Sequence, residues 1–168
     1  MTATAEAAPP EVAAVLHEAA EYTRRTIKEL RTLLVDIYPP DLHRTGLAAA
    51  LRDLVAPLAP HGITATLELP ADLRLPEAVE TLFYRAAQEA LRNVVKHAEA
   101  ANVRVRVETD GRLCLTVEDD GVGLPADATA EGHFGMRLLG DLAREAGGEL
   151  LVDARPQRGT RVTIEVPQ

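Results

Sequence analysis

The stretch Gln88-Glu89-Ala90-Leu91-Arg92-Asn93-Val94-Val95-Lys96-His97-Ala98, followed about two dozen residues on by Asp119-Asp120-Gly121-Val122-Gly123, decides the reading of this chain. Glu89 and Asn93 stand at i and i+4, which brings a carboxylate and a carboxamide onto one face of a helix. An acid leading two alternate glycines lets a backbone turn approach a ligand without side-chain obstruction. Together they point to a nucleotide site. Asn93 offers a hard oxygen donor of the kind Mg²⁺ prefers, Glu89 a base, and Asp119 an acceptor for the exocyclic amine of adenine. Each piece alone has a plainer reading. Glu89 and Asn93 taken by themselves are more often two solvated helix positions, and Asp-Gly is common in simple turns.

Composition bounds the rest. The chain has 168 residues, 46% of them hydrophobic, but only 3% aromatic and no Trp, so the core must be built from Leu, Val, Ala and Ile. Acidic residues outnumber basic ones 26 to 18 for a formal charge of −8, which argues against non-specific binding to nucleic acid or an anionic membrane. An anionic ligand is not excluded, because backbone amides, a helix N-terminus or a metal neutralise it locally. The single cysteine, Cys114, excludes an intrachain disulfide and a Cys-rich zinc site, and its alternating apolar run predicts a buried thiol. No apolar run approaches the about 20 residues a membrane span needs, and Met1 to Pro10 lacks the features of a secretory signal.

Outward from the opening stretch, hydrophobic periodicity assigns the elements. Apolar residues at threes and fours from Glu11 to Tyr38 predict a long amphipathic helix with a narrow stripe that needs a partner helix. Pro39-Pro40 stops it. A shorter helix is expected over Gly46 to Leu58, and a strand over Ile63 to Leu69, where apolar residues alternate. Pro76 opens a long helix through His97, with Val79, Leu82, Phe83, Ala86, Ala90, Leu91, Val94 and Val95 on its inner face. Two strands, Val103 to Glu108 and Leu113 to Glu118, are joined through Asp110-Gly111, a hairpin signal. Leu124 to Gly132 reads as a loop, Phe134 to Ala146 as a helix ended by Gly147-Gly148, and Glu149 to Asp153 and Thr160 to Val166 as closing strands. The expected fold class is α+β: a two-layer sandwich with helices on one face of a mixed, mostly antiparallel sheet.

Two further segments bear on the site. Gly132-His133-Phe134-Gly135-Met136 precedes a helix whose free amides would form a phosphate cradle, or is an ordinary glycine-punctuated helix entry. Gly159-Thr160 either adds a backbone and hydroxyl contact to the base or closes a hairpin. Lys96 and His97 would reach phosphate oxygens, though cations at a helix end are more often there for the dipole.

The order Glu89…Asn93, Asp119-x-Gly121-x-Gly123, Gly132-x-x-Gly135, Gly159-Thr160 resembles the N, G1, G2 and closing boxes of the GHKL ATPase superfamily over residues 61–168. Within it, Gln88 to Ala98 and the short lid ending in Gly132-His133-Phe134-Gly135-Met136-Arg137 are similar to sensor histidine kinases of the NarL type. So are Glu29-Leu30-Arg31-Thr32-Leu33-Leu34, Tyr38-Pro39-Pro40-Asp41-Leu42 and Gly46-Leu47-Ala48-Ala49-Ala50-Leu51, which extends the resemblance back to residue 11. It implies the Bergerat fold of that superfamily, ATP bound with Mg²⁺, and transfer of the γ-phosphoryl group to a histidine and then to a response regulator. It implies Asn93 on the metal, Glu89 assisting, and Asp119 reading adenine with Gly121, Gly123 and Thr160 around it. Gly132, His133, Gly135 and Met136 would frame the lid, with Lys96 and His97 near the phosphates. The implied organisation is a partial dimerisation region over 1–40, a linker helix over 41–60 and the ATP-binding domain over 61–168. The implied setting is cytoplasmic, within a homodimer, with no direct contact to nucleic acid.

The pattern departs from the family at the acceptor. His17-Glu18 matches a His-acid pair, but Ala19-Ala20-Glu21-Tyr22 lacks the amide residue expected next. Its helix also runs into Tyr38-Pro39-Pro40, where the second dimerisation helix belongs. The expectation is therefore the donor half of a longer kinase, with the phosphoacceptor helix supplied elsewhere. The competing expectations are a serine kinase resembling anti-sigma factors and a non-catalytic ATP-sensing module.

Overall fold

A computed structural model describes residues 42–123, 134–155 and 159–168. The helix expected over residues 11–38, His17, and the lid segment with Gly132 and His133 lie outside them. Five strands form the sheet: β1 (Thr64–Glu68), β2 (Asn102–Glu108), β3 (Leu113–Asp119), β4 (Glu149–Ala154) and β5 (Thr160–Val166), in spatial order β1-β2-β3-β5-β4. β1 runs parallel to β2, and every other pair is antiparallel. The parallel pair needs a crossover, and α3 (Glu77–Asn93) lies within it. The remaining helices are α1 (Leu42–Thr45), α2 (Leu47–Val55) and α4 (Phe134–Glu145).

Strand alternation sorts the sheet into two faces. Val103, Val105, Val107, Leu113, Leu115, Val117, Val162, Ile164 and Val166 are buried and share one core with the helices. The opposite face carries ion pairs: Arg104 and Arg106 on Glu68, Arg112 on Glu165, and Arg161 on Glu118. Phe83, Ala86 and Ala87 of α3 are fully buried. The two-layer α+β expectation is met.

Four details differ from the sequence reading. The long helix does not reach His97 as regular α-helix; after Asn93 the chain makes a π-turn over Val94–Ala98. Its wider winding keeps Val94 and Ala98 buried but turns Val95, expected inside, to 39% exposure. The helix expected over 46–58 is α2 followed by a 3₁₀ turn, Ala56–His61, which accommodates Pro57 and Pro60. The stretch expected as a linker is part of the packed body, since Leu42, Leu47, Leu51 and Leu58 are buried in the common core. Cys114 sits on the ion-paired face beside Thr116, half-buried rather than buried, because Leu113 and Leu115 take the inward positions. Partial burial pushes the Cys114 thiol above its usual range, which disfavours the thiolate. Other ends are as expected: Gly111 takes φ 78° in the β2–β3 hairpin. α4 closes in a Schellman motif, with Gly148 N–H donating to the Ala143 carbonyl at 2.8 Å and Gly147 N–H to Arg144 at 3.0 Å.

Candidate functional site

The site lies where β3 ends. Asp119, the last residue of the strand, follows the inward alternation of Leu113, Leu115 and Val117. At 5% exposure it is the one buried charged side chain among the described residues. Its Oδ1 accepts from the Gly121 N–H at 2.8 Å, and among the described residues no protein donor meets Oδ2. The residue as a whole is buried, but Oδ2 is not sealed from solvent, so it stays open to an incoming donor. Such an oxygen suits a ligand that brings its own N–H, as the amino group of adenine does.

The glycines are required by close approach. A Cβ on Gly121 would stand 2.0 Å from the Ala98 carbonyl oxygen, in the place where Val122 N–H donates to that same oxygen at 2.8 Å. The loop after β3 is thereby pressed onto the π-turn that follows Asn93. Gly123 has φ 83° and faces Gly159, while a Cβ on Gly159 would meet the Asp119 carbonyl oxygen at 2.0 Å. Asp119, Gly121, Gly123 and Gly159, scattered over about forty positions, thus form one contiguous backbone surface.

Asp120 faces the other way and does different work. Its Oδ1 accepts from the Ala101 and Asn102 amides at 2.9 and 2.8 Å, and its Oδ2 from Asn102 Nδ2 at 2.7 Å. The Asn102 side chain, then the backbone amides, hold the Asp120 carboxyl below the usual carboxylate range. This clamp ties the end of β3 to the start of β2. Sequence reading had given Asp120 no role, and its one signal was the doubled acid.

On α3, Glu89 and Asn93 lie together at the edge of the buried stripe, both partly buried. Glu89 is ion-paired with Arg92. A Cβ on Gly135 would come within 2.7 Å of the Glu89 carboxylate, so the start of α4 packs directly on this acid. That contact joins the helix carrying Glu89 and Asn93 to the helix entry expected to cradle phosphate. The Asn93 carboxamide has no hydrogen bond among the described residues, which leaves its carbonyl oxygen available to a metal; the donor set of Asn93 and Glu89 fits Mg²⁺ chemistry.

Other expected residues divide. The Met136 side chain is buried in the core at 8% exposure, so its contribution to a ligand is confined to its N–H in the first turn of α4. Thr160 opens β5 opposite Ala154 and is half-buried. Lys96 and His97 are exposed on the π-turn, and Lys96 lines a groove with Leu54, Pro57 and Leu58 rather than touching Glu89 or Asp119. Arg155, which sequence reading passed over, donates from Nη1 to the Asp119 carbonyl at 2.9 Å. The depression lined by Arg104, Arg106, Thr116 and Glu118 opens on the ion-paired face of the sheet, away from Asp119.

Comparison with known proteins gives the family and the fold. Residues 78–168 match the family model of histidine kinase-, DNA gyrase B- and HSP90-like ATPases. The chain is 34% identical over 170 residues, 95% of its length, to a sensor-like histidine kinase of Chloroflexus aurantiacus, of which it spans 28%. It is 28% identical over 140 residues, 83% of its length, to the sensor protein VraS of Staphylococcus aureus, of which it spans 40%. The histidine kinase domain of the Erythrobacter litoralis EL346 blue-light activated kinase aligns with a TM-score of 0.61 and 28% identity, covering 72% of this chain and 58% of that one. The chain thus spans less than half the length of these two curated relatives.

Proposed function

Because this chain belongs to the family of histidine kinase-, DNA gyrase B- and HSP90-like ATPases, we propose that it is the ATP-binding catalytic portion of a two-component sensor histidine kinase. The observation that carries the reading is the buried Asp119, whose Oδ2 meets no protein donor among the described residues, on a glycine loop packed against the turn that follows Asn93. Asp119 accepts from the adenine amine, and Gly121, Gly123 and Thr160 shape the wall around the base. Asn93 would hold Mg²⁺ through its carbonyl oxygen, and the ion would supply neutralisation of the phosphate charge. Glu89 assists, drawing the proton from the incoming nucleophile. Gly132, His133, Gly135 and the Met136 amide frame the lid, with His97 on the phosphate side.

The phosphoryl group goes to a histidine on a dimerisation helix, and from there to an aspartate of a response regulator. The working unit is a homodimer in the cytoplasm, alone or as the inner part of a membrane-bound sensor. Among the described residues no helix is long and apolar enough to cross a membrane. Incubating the chain with γ-labelled ATP, Mg²⁺ and a separately supplied acceptor-helix domain tests the proposal. Acid-labile label on the supplied histidine is expected, and Asn93→Ala should abolish it. Label on serine, or none with ATP bound, would replace histidine transfer with one of the competing readings.

A further inference from the structure

The ladder between β3 and β5 ends at the pair Glu118 and Arg161, one residue short of Asp119. Past that point the Asp119 carbonyl takes its hydrogen bond from a side chain, Nη1 of Arg155, at 2.9 Å. Arg155 is itself held by the hairpin between β4 and β5, since its N–H donates to the Gly159 carbonyl at 3.0 Å. Gly159 in turn lies flat against the Asp119 carbonyl, leaving no room for a side chain. One peptide group is therefore gripped by a guanidinium and covered by a glycine, and that group belongs to the residue whose carboxylate faces the ligand.

We infer that Arg155 is a positioning residue for the base-reading carboxylate: it substitutes for the missing ladder bond at Asp119 and sets the orientation in which Asp119 meets the adenine. This rests on the nucleotide site proposed above. A buried backbone acceptor needs a donor, and the end of a strand would otherwise fray. The only side-chain contact on which this role depends is with the backbone of Asp119, so what is required of residue 155 is a donor of the right length and not a positive charge. The effect must also fall on the base end of the ligand, independent of the number of phosphates.

The test measures displacement of a fluorescent ATP analogue from the full chain by ATP, ADP and adenosine, with Asp119→Asn as reference. Arg155→Ala should weaken all three by the same factor, roughly tenfold, and speed amide exchange at Gly121 in the nucleotide-free protein. Arg155→Lys, a donor of similar reach, should return affinity close to the starting value, whereas Arg155→Gln, two bonds shorter, should not. Arg155→Met, which keeps the aliphatic stem, takes the place of the alanine variant if that one does not fold. Loss for ATP with adenosine unaffected would mean a direct phosphate contact and overturn the inference. Wild-type affinity in Arg155→Ala and Arg155→Met while Asp119→Asn fails to bind would overturn it and leave the site standing. Wild-type affinity in Asp119→Asn would sink the site and the inference together.

Discussion

Glu118 and Asp119 are neighbours in sequence and point to opposite faces of the sheet. Glu118 lies on the open face, where its carboxylate accepts from Arg161 Nε at 2.5 Å, one pair in a grid that includes Glu68 with Arg104 and Arg106. Asp119 lies under the helices, and among the described residues no cation touches its carboxylate. The same chemical group is thus tied to a cation on one face of the sheet and left with an open acceptor on the other. Exposed pairs contribute little to stability, whereas an acid set among apolar side chains without a cation is retained against its desolvation cost. The contrast teaches that burial without a cation marks the working acid, and that abundance of ion pairs marks the inert face.

The largest break in that contrast comes from Asp119→Asn. Asparagine keeps the acceptor for Gly121 N–H but replaces the vacant oxygen with a donor facing the adenine amine. Nucleotide affinity should fall on the order of a hundredfold, measured by calorimetry with ATP and Mg²⁺. The melting temperature without nucleotide should stay the same or rise, because a buried charge has been removed. A fall of several degrees with affinity intact would show that Asp119 serves the fold instead. Next in size is Gly121→Ala. Its methyl group would collide with the Ala98 carbonyl, so the loop must lift from the π-turn at a cost of about 1–3 kcal/mol. Urea denaturation at the wild-type midpoint would show that this contact is not close.

Much of this contrast was legible from residues alone, because strand alternation places Glu118 and Asp119 on opposite faces without reference to anything distant. The two layers, the hairpin at Asp110-Gly111 and the stop at Gly147-Gly148 were legible for the same reason: each is a local rule. What escaped depends on distant partners. Val95 turned outward because the winding changes after Asn93, and no periodicity announces a π-turn. Leu47 and Leu51 belong to the core because α2 packs on α3, which sequence spacing does not reveal. Arg155 and Asp120 act through hydrogen bonds spanning 36 and 18 residues, on groups that a motif does not mention.

Asp120 supplies a smaller and pH-dependent test. Its folded carboxyl titrates below the unfolded value, so its stabilisation is present above the unfolded pKa of about 4 and is lost as pH falls through the folded one. Wild-type unfolding curves should therefore lose stability below about pH 4. Asp120→Asn should lack that component of the loss. If both proteins follow the same acid limb, the clamp on Asn102 is not contributing.

The smallest expected effect is the most useful for the comparison itself. Glu68→Gln removes the acid shared by Arg104 and Arg106, whose side chains are 50% and 41% exposed. Water and salt already screen these charges, so stability should change by less than about 0.5 kcal/mol. Most of that change should vanish in 1 M salt, where the screening length is about 3 Å. Nucleotide affinity should not move at all, because β2 stands between this face and the buried carboxylate. A measurable loss of ATP binding would mean that strain passes through the sheet from one face to the other. Asp119 would then owe its vacant oxygen to the ion grid behind it as well as to burial, and the two faces would have to be treated as one coupled device.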